Sequence, residues 1–576
     1  MLRVEDYEPE LWMQQENFEP VPAQNENFKN FIVRYDQNVH GPVDYVSGGT
    51  FQIIDDLFAV LYVPSETQPD MEITSFSYNS IPKCYTHMDL ESLNTSGVTK
   101  LHNHPYLKLR GQGTAVAIID SGVDYENPVF KTSNGSKIQC IWDQTVPGKQ
   151  SEEVPFGKLY TKNEIDEALE SENPLSLVPS TDTNGHGTML AATAAGNTVP
   201  EENFSGAAPE ASLIVIKLKP AKQYLREFYL YPADAEVYQE DDMMLAIAFA
   251  MRFAEKLQMP LSICLGLGTS QGSHQGLSPL SQFIDSVAGF SQNAVSVAAG
   301  NEGAARHHYQ GTLETRYPME TVELRIGEKE EGFTMEFWGE SPESYELSVQ
   351  SPTGEVLKIS SDLRSGTQEL SFVFVETKVL VNYIPIERQS GNTLVYFRFF
   401  HPAAGIWKIQ VQGNGSNHSR FFLWLPVQGL ISEDTFFLQS DPFYTITSPG
   451  DASGGMTATA YQAKDNSLYL QASRGFTPSE GVKPNFAVPG VEIRVPLLSG
   501  GYGTASGTSL SAAQTAGIAA LLFEWAIIRQ NEPFFTGNSA KNYLQRGAIR
   551  EEEVSYPNPE WGYGRVDLYH TFELIT

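Results

Sequence analysis

The sequence predicts an α/β protein with helices on both faces of a parallel sheet, preceded by a small α+β unit and interrupted by a β-sandwich. From Gly113 onward, apolar runs typical of buried strands alternate with helical stretches, and such alternation builds a parallel sheet covered by helices. From about residue 305 to residue 441, short strand-like runs follow one another with almost no helical pattern. Because the α/β pattern resumes near residue 445, the strand-rich stretch is an insertion.

At 576 residues the chain is too long for a single hydrophobic core. Chains beyond roughly 250–300 residues usually divide into domains. The changes of pattern divide this one into residues 1–86, 87–305, 306–440 and 441–576. We expect the second and fourth segments to form one α/β domain and the third to form the inserted β-sandwich.

The first segment has strand-like runs after about thirty acidic and amide-rich residues of little periodicity. Residues 31–35 predict one strand, and residues 50–64 predict a bent strand or a hairpin. Residues 73–78 predict another strand. These runs indicate a small α+β unit.

In the α/β segments, residues 115–119 form a continuous apolar run, which is typical of a strand buried on both faces. Residues 243–256 have the spacing of an amphipathic helix. Further buried strands are predicted at residues 212–217, 261–265 and 295–299.

The insertion is divided by turn signals such as Pro352-Thr353-Gly354 and Gly413-Asn414-Gly415. Between them lie seven strand-like runs, and their short, regular spacing is typical of a sandwich. The runs are residues 320–326, 333–338, 346–350, 369–375, 394–400, 407–412 and 420–425.

Composition limits the function. The net charge of −32, from 38 basic and 70 acidic residues, argues against nucleic acid or an anionic membrane as partner, since both require a basic face. The chain has no run of about 18 apolar residues, so no membrane span is expected. Its start lacks the basic patch and apolar stretch of an ordinary signal peptide. Cys84, Cys140 and Cys264 form no disulfide framework and are interpreted as packing residues.

Three residues have surroundings that suggest catalysis. Asp120 follows the first buried strand, at the end where open α/β sheets build their sites. His186 lies between Gly185 and Gly187, ahead of an alanine-rich helix. Ser509 lies at the start of a helix of small residues, where amide N–H groups favour a developing oxyanion.

Taken singly, each of these residues has an ordinary structural interpretation. An acid at a strand end is often a helix cap, and a lone histidine is more often structural than catalytic. A serine at a helix start is commonly an N-cap. The order Asp, His, Ser with these neighbours makes the structural interpretation untenable for the set.

This order and these flanks resemble the subtilisin family of serine proteases. Residues 297–303 (VAAGNEG) are similar to the family segment that holds its oxyanion asparagine, and the match identifies Asn301. Residues 473–475 (SRG) and 483–491 (KPNFAVPGV) are similar to the segment before the nucleophile. Ser511, Ala513 and Gln514 depart from the family pattern, but no triad position is altered.

The resemblance implies a subtilisin-like fold and a serine endopeptidase with Asp120, His186 and Ser509 as catalytic triad. It implies that Asn301, together with the backbone N–H of Ser509, binds the oxyanion. It also implies that small residues line the substrate cleft, where a peptide can pair as an added strand. These residues are Gly266, Leu267, Gly268, Ala298, Ala299 and Gly300.

Three further stretches, residues 217–229, 266–276 and 307–309, are similar to the Csp germination proteases of clostridia and related Firmicutes. This resemblance implies that residues 306–440 are a jelly roll and that residues 1–86 are a propeptide cleaved by the enzyme itself. The position at which subtilisin-family mature chains begin implies a cut within residues 84–89, and the cleaved propeptide can stay bound as an inhibitor. The alternative is that residues 1–86 are a permanent N-terminal domain. The Csp resemblance also implies a protein substrate such as a spore-germination zymogen, and a bacterial protein that is spore-associated or exported.

No cofactor is expected. His274, His307 and His308 suggest a metal, but adjacent histidines do not easily bind one ion and no partner stands at zinc spacing. A structural calcium ion stays open, although no EF-hand-like pattern supports it.

Two other functions are alternatives to a serine endopeptidase. The first is a non-catalytic receptor or scaffold that keeps an intact-looking triad. The second is an esterase, which conflicts with the triad order and with the missing G-x-S-x-G motif.

Overall fold

A computed structural model describes the protein. It covers residues 21–35, 48–67, 71, 73, 77–87, 98–102, 107–148, 151, 153–314, 319–361, 366–413, 418–498 and 500–575.

The N-terminal unit contains one three-stranded antiparallel sheet, formed by β1 (Phe28–Arg34), β2 (Thr50–Ile53) and β3 (Phe58–Pro64) in the order β1-β3-β2. The hairpin predicted within residues 50–64 is therefore present as β2 and β3. Of the strand predicted at residues 73–78, residues 74–76 lie outside the described part. Ile73 lies in a turn, and Tyr78 begins a 3₁₀ turn that ends at Ser80. The prediction of a strand is therefore wrong at Tyr78.

A short strand, β4 (Cys84–His87), and a short helix, α1 (Val98–His102), lead into the α/β domain. The strands of its first part are β5 (Ala115–Asp120), β6 (Lys131–Thr132), β7 (Gly135–Ser136), β8 (Ile138–Asp143), β9 (Lys158–Thr161), β10 (Ser212–Lys217), β11 (Tyr238–Gln239), β12 (Leu261–Leu265), β13 (Leu267–Gly268) and β14 (Asn293–Ala298). Its helices are α2 (Lys162–Glu170), α3 (His186–Ala195), α4 (Gln223–Tyr229), α5 (Glu240–Leu257) and α6 (Pro279–Gly289).

The insertion consists of eleven strands within the described residues. They are β15 (His308–Leu313), β16 (Met319–Ile326), β17 (Gly332–Gly339), β18 (Tyr345–Gln350), β19 (Val356–Lys358), β20 (Thr367–Ser371), β21 (Lys378–Ile384), β22 (Thr393–Phe400), β23 (Gly405–Gly413), β24 (Ser419–Trp424) and β25 (Phe436–Phe437).

The chain then returns to the α/β domain. Its second part contains β26 (Met456–Gln462), β27 (Phe486–Val491), β28 (Ile493–Pro496), β29 (Tyr502–Ala505), α7 (Thr508–Phe523), α8 (Gly537–Arg546) and α9 (Leu568–Glu573). A π-helical turn, Glu524–Ile528, follows α7 directly.

The central sheet has eight strands in the order β27-β26-β14-β12-β5-β10-β8-β9, all parallel except the edge strand β9. Alternate residues of β5 enter two separate cores. Val116 and Ile118 pack on the side of α3 and α7, whereas Ala117 and Ile119 pack on the side of α5 and α6. Each large apolar side chain buried in this way contributes about 1.5–3 kcal/mol. The predicted parallel sheet with helices on both faces is confirmed.

The insertion is a sandwich of two antiparallel sheets. One has six strands in the order β15-β24-β17-β22-β21-β20, and the other has five in the order β19-β18-β23-β16-β25. Aromatic side chains from both sheets form one core, for example Phe337 and Phe399 from the first sheet and Trp407 from the second. The inserted β-sandwich is thus present, while its classification as a jelly roll stays a prediction.

A fourth hydrophobic cluster joins three parts of the chain. Phe31 and Ile81 come from the N-terminal unit, Tyr229 from α4, and Trp338 and Tyr396 from the sandwich. The N-terminal unit therefore packs against the α/β domain and the insertion together.

Among the described helices, only the stretch Thr508–Ile528 is long and apolar enough to cross a membrane, and 83% of that stretch is buried inside the protein.

Candidate active site

Asp120 is the last residue of β5, near the middle of the central sheet, and its side chain is fully buried. Its Oδ1 atom accepts hydrogen bonds from the backbone N–H of Ser121 at 2.8 Å and from the Ser121 hydroxyl at 3.1 Å. These donors stabilise the charged carboxylate where water does not reach it.

His186 is the first residue of α3. Gly185 precedes it with φ of 88°, a left-handed conformation that favours glycine. A Cβ atom at Gly187 would lie 2.1 Å from the carbonyl oxygen of Gly122. The glycines on each side of His186 therefore permit a tight entry into the helix and a close approach to the loop that follows β5.

Ser509 is the second residue of α7 and is fully buried. Backbone N–H groups in the first turn of a helix point out of its N-terminus, where the positive end of the helix dipole lies. Negative charge that develops beside Ser509 is therefore stabilised by the helix.

The fold brings these three residues together. His186 Nδ1 lies 2.7 Å from Asp120 Oδ1, and His186 Nε2 lies 3.2 Å from the Ser509 hydroxyl oxygen. The imidazole can take the hydroxyl proton on one side while the carboxylate orients it on the other. This geometry suits nucleophilic attack by Ser509.

Burial disfavours the charged form of Asp120, but the neighbouring imidazoles of His186 and His87 outweigh this effect. Together they hold the pKa of Asp120 well below its usual range. The carboxylate therefore stays ionised wherever the protein is folded, as an orienting base requires.

Asn301 lies against the start of α7. Its Oδ1 atom accepts hydrogen bonds from the backbone N–H of Thr508 at 3.3 Å and from the Thr508 hydroxyl at 3.1 Å. Because Oδ1 is the accepting atom, the NH₂ group of the amide is turned away from Thr508. Gly300 donates its N–H to the same hydroxyl at 3.1 Å.

The loop that holds Asn301 is attached to the insertion. The side chain of Gln428 donates to the carbonyl oxygen of Asn301 at 2.7 Å, and the backbone N–H of Gln428 donates to Glu302 Oε1 at 3.0 Å. The other carboxylate oxygen of Glu302 lies 2.9 Å from His307 Nδ1. No local sequence pattern indicates this link, because Gln428 lies 127 residues from Asn301.

The two segments expected to line the cleft, residues 266–268 and 298–300, have different surroundings in the structure. Gly266 lies against the catalytic candidates, since a Cβ atom there would stand 3.0 Å from His186 Cε1 and 3.1 Å from Ser509 Cβ. Leu267 and Gly268 form β13, which pairs with β4.

In the second segment, residues 298–300, the backbone forms hydrogen bonds inside the protein. Ala298 is the last residue of β14, and both it and Ala299 are buried. Ala299 donates to Ala458 and accepts from Thr447. A Cβ atom at Gly300, whose φ is 104°, would lie 2.6 Å from the Thr447 hydroxyl oxygen. The role of Ala298, Ala299 and Gly300 in binding substrate stays a prediction.

β4 lies between β11 and β13 in a small three-stranded sheet, antiparallel to both. Thr86 stands opposite Gly268, and His87 stands opposite Leu267. His87 Nε2 lies 3.4 Å from Asp120 Oδ1, and the rings of His87 and His186 are 4.3 Å apart. The strand thus lies between β11 and β13, beside the catalytic candidates.

Two residues beside His87 were not predicted from the sequence. Glu236 Oε2 lies 3.6 Å from His87 Nδ1, and the ring of Tyr238 meets the ring of His87 edge-on at 5.4 Å. Neither residue belongs to a motif, so only the fold reveals them.

The histidines considered as metal ligands have other partners. Carbonyl oxygens lie 2.7 and 3.0 Å from the two ring nitrogens of His274. His307 pairs with Glu302, and His308 Nδ1 lies 3.1 Å from the carbonyl oxygen of Asp441.

Among the described residues, the His and acidic groups close enough to share an ion are His87, Asp120 and His186, within 4.8 Å of one another. The hydrogen bond between His186 and Asp120 uses two of these groups, so the geometry gives no reason to assign a metal there.

Comparison with known proteins is consistent with this geometry. The family model for the subtilase family matches residues 111–324 and 403–564. The solved structure of the Clostridium perfringens CspB protease is 31% identical, with a TM-score of 0.74, over 83% of this chain and 96% of that one. Sphericase matches with 16% identity and a TM-score of 0.42, over 82% of this chain and 97% of that one. No curated protein sequence shows a significant match. The family match covers more than half of the chain, so this protein belongs to the subtilase family and is a subtilisin-like serine protease.

Proposed function

We propose that this protein is an endopeptidase that uses Asp120, His186 and Ser509 as its triad and cuts its own N-terminal unit from the enzyme. The observation that carries the proposal is the continuous chain of contacts from Asp120 through His186 to the Ser509 hydroxyl, at 2.7 and 3.2 Å. The position of β4 beside that chain supports self-processing.

In the proposed reaction, His186 Nε2 takes the hydroxyl proton as the Ser509 oxygen attacks the scissile carbonyl carbon. The resulting oxyanion receives hydrogen bonds from the Asn301 NH₂ group and the backbone N–H of Ser509. His186 then gives the proton to the leaving nitrogen, the C–N bond breaks, and an acyl-enzyme remains. A water molecule, deprotonated by His186, releases the acid product and restores Ser509.

The proposed propeptide is residues 1–86, with a cut within residues 84–89. Of these, Met88 and Asp89 lie outside the described residues. After the cut, strand pairing with β11 and β13 would hold the product in the cleft as an inhibitor.

Polar contacts elsewhere support retention of the N-terminal unit. The Asn30 side chain donates to Asp241 Oδ2 at 2.6 Å, and Asn79 donates to Glu387 in the sandwich at 3.3 Å. The Lys222 ammonium donates to Asn30 Oδ1 at 2.8 Å. These contacts add to the apolar cluster that the three parts share.

We further propose, from the resemblance to Csp proteases, that the substrate is a protein such as a spore-germination zymogen and that the enzyme is spore-associated or exported. We propose that no metal or cofactor takes part in the chemistry.

The test compares wild type with Ser509→Ala. Intact mass should show two fragments from wild type and one full-length chain from the variant, and a fluorophosphonate should label wild type only. Ser511→Ala is the matched control. Ser511 lies in the same helix as Ser509, and its hydroxyl donates to the carbonyl oxygen of Val488 at 3.1 Å. Cutting by Ser509→Ala would refute the assignment. An uncut but labelled wild type would refute self-processing alone.

A further inference from the structure

The register of β4 determines which residue of a bound peptide occupies each position of the cleft. β13 runs away from Gly266, which lies against His186 and Ser509. Because β4 is antiparallel to β13, a peptide that runs from Thr86 to His87 approaches Ser509. We expect a peptide substrate bound in this register to place, beside Gly266, the residue that follows the one opposite Leu267, and Ser509 would attack the carbonyl carbon of that residue.

Met88 follows His87 in the sequence and lies outside the described residues. For the N-terminal unit, the same register predicts a cut between Met88 and Asp89. His87 is then the second residue before the cut, and its surroundings define the subsite for that position.

Two carboxylates flank the imidazole of His87. Nε2 lies 3.4 Å from Asp120 Oδ1, and Nδ1 lies 3.6 Å from Glu236 Oε2. The two ring nitrogens of an imidazole lie on opposite sides of the ring, so each of them can face one of these carboxylates. A carboxylate in the same place would meet two like charges.

Aromatic contact restricts the shape of the side chain. The His87 ring is 4.3 Å from the His186 ring and 5.4 Å from the Tyr238 ring, and 16% of its side chain is exposed. A flat ring fills this space between two rings more closely than a flexible chain does.

Asp120 also orients His186, so it cannot change without loss of catalysis. Glu236 is not a member of the proposed triad. Its side chain is half exposed, and the Asn184 amide donates to its Oε2 atom at 2.5 Å. Glu236 is thus fixed beside the subsite by the loop that leads into α3.

We infer that Glu236 and Tyr238 form a subsite that selects histidine as the second residue before the cleaved bond, in the N-terminal unit and in protein substrates. This inference rests on the proposed function, because it describes the specificity of the same cleft.

The test uses full-length chains during timed cell-free synthesis, with the cut followed by intact mass. His87→Glu should slow self-processing roughly tenfold, and His87→Ala roughly threefold, as expected for loss of a partly exposed charge-assisted contact. The double variant His87→Glu with Glu236→Lys should recover most of the wild-type rate. Glu255→Gln is the matched control, because α5 carries that exposed residue on the order of 20 Å from the cleft.

A second measurement does not depend on the folding of the variants at position 87. Quenched peptides with the sequence of residues 84–91 carry His, Ala or Glu at the position of His87, and wild type should cut them in that order. Glu236→Gln should reduce the ratio of the His to the Glu peptide severalfold while a fluorophosphonate still labels Ser509. Equal cutting of the three peptides, or no recovery in the double variant, would overturn the inference alone. A wild type that neither cuts nor takes the label would overturn the proposed function.

Discussion

The side-chain amide of Gln428, in the inserted segment, donates a 2.7 Å hydrogen bond to the main-chain carbonyl oxygen of Asn301. The insertion therefore touches the segment that is proposed to hold the oxyanion. The contact is made to Asn301 itself, the residue whose side chain is proposed to bind the oxyanion.

Gln428→Ala should lower kcat by roughly three- to tenfold, the effect of one neutral hydrogen bond, with KM nearly unchanged. The reason is that the Asn301 segment loses a fixed support, while the strands of the cleft stay in place. Steady-state kinetics measure this, with Gln410→Ala in β23 as control, since its side chain accepts a hydrogen bond from Ser348 within the sandwich. Equal kinetics for the two variants would mean that the insertion does not position Asn301.

Gly266→Ala should reduce activity about a hundredfold, because the new methyl group would stand 2.6 Å from Leu190 Cδ1 and close to both His186 and Ser509. The active serine should be titrated before and after the change. Gly289→Ala is the control, since no atom lies within 4 Å of a Cβ atom there. Unchanged activity in Gly266→Ala would show that this backbone can move away from the catalytic candidates at little cost.

Asn301→Ala should lower turnover by about 10²–10³, the range known for the same loss in subtilisin itself, with a small effect on KM. Its NH₂ group acts on charge that develops only in the transition state. Thr508→Val removes the hydroxyl that holds the Asn301 amide at 3.1 Å and should have a smaller effect of the same kind. A change confined to KM would contradict the proposed role of Asn301.

The buried side chain of His308 makes the free energy of unfolding depend on pH. Burial lowers the pKa of His308 from 6.5 to about 3, with the nearby His274 adding to the effect. Between pH 6.5 and about pH 3, His308 is protonated in the unfolded chain and neutral in the folded chain. The contribution of neutral, buried His308 to the free energy of unfolding is therefore complete above pH 6.5 and is lost as the pH falls to about 3. The loss amounts to at most about 5 kcal/mol.

Urea unfolding at several values between pH 7.5 and pH 4 measures this loss. His308→Phe keeps a ring against Trp424, 5.1 Å away, and should flatten the fall in stability between pH 6.5 and pH 4. The same change at the exposed His418 should leave the wild-type slope. An identical slope in all three proteins would show that His308 does not control the acid response.

Much of the fold was accessible from sequence because burial on both faces leaves long apolar runs. The strand predicted at residues 212–217 has those bounds in the structure, and the predicted helix 243–256 extends to Glu240–Leu257. Four strands of the sandwich, β15, β19, β21 and β25, were not predicted. In β21 (KVLVNYI), Lys378 stands at the start and Asn382 interrupts the apolar residues, so the pattern is weak.

For the site, local motifs identified the residues that touch one another, because glycine and alanine neighbours are required where backbones approach closely. Long-range partners have no such signature. Glu236 and Gln428 act through a tertiary contact with a distant segment, and nothing in their immediate sequence requires a Glu or a Gln. The subtilase pattern places Asn301 on the chain, but only the fold reveals what supports it.

The location of β4 in the cleft also has a consequence for the newly made protein. The ribosome produces His87 before Ser509, and 422 residues (509 minus 87) separate them. At about 5–20 residues per second, this interval is on the order of tens of seconds. The N-terminal unit can thus fold, and its strand can meet β11 and β13, before the nucleophile emerges. When Ser509 joins the site, β4 would then already lie between β11 and β13.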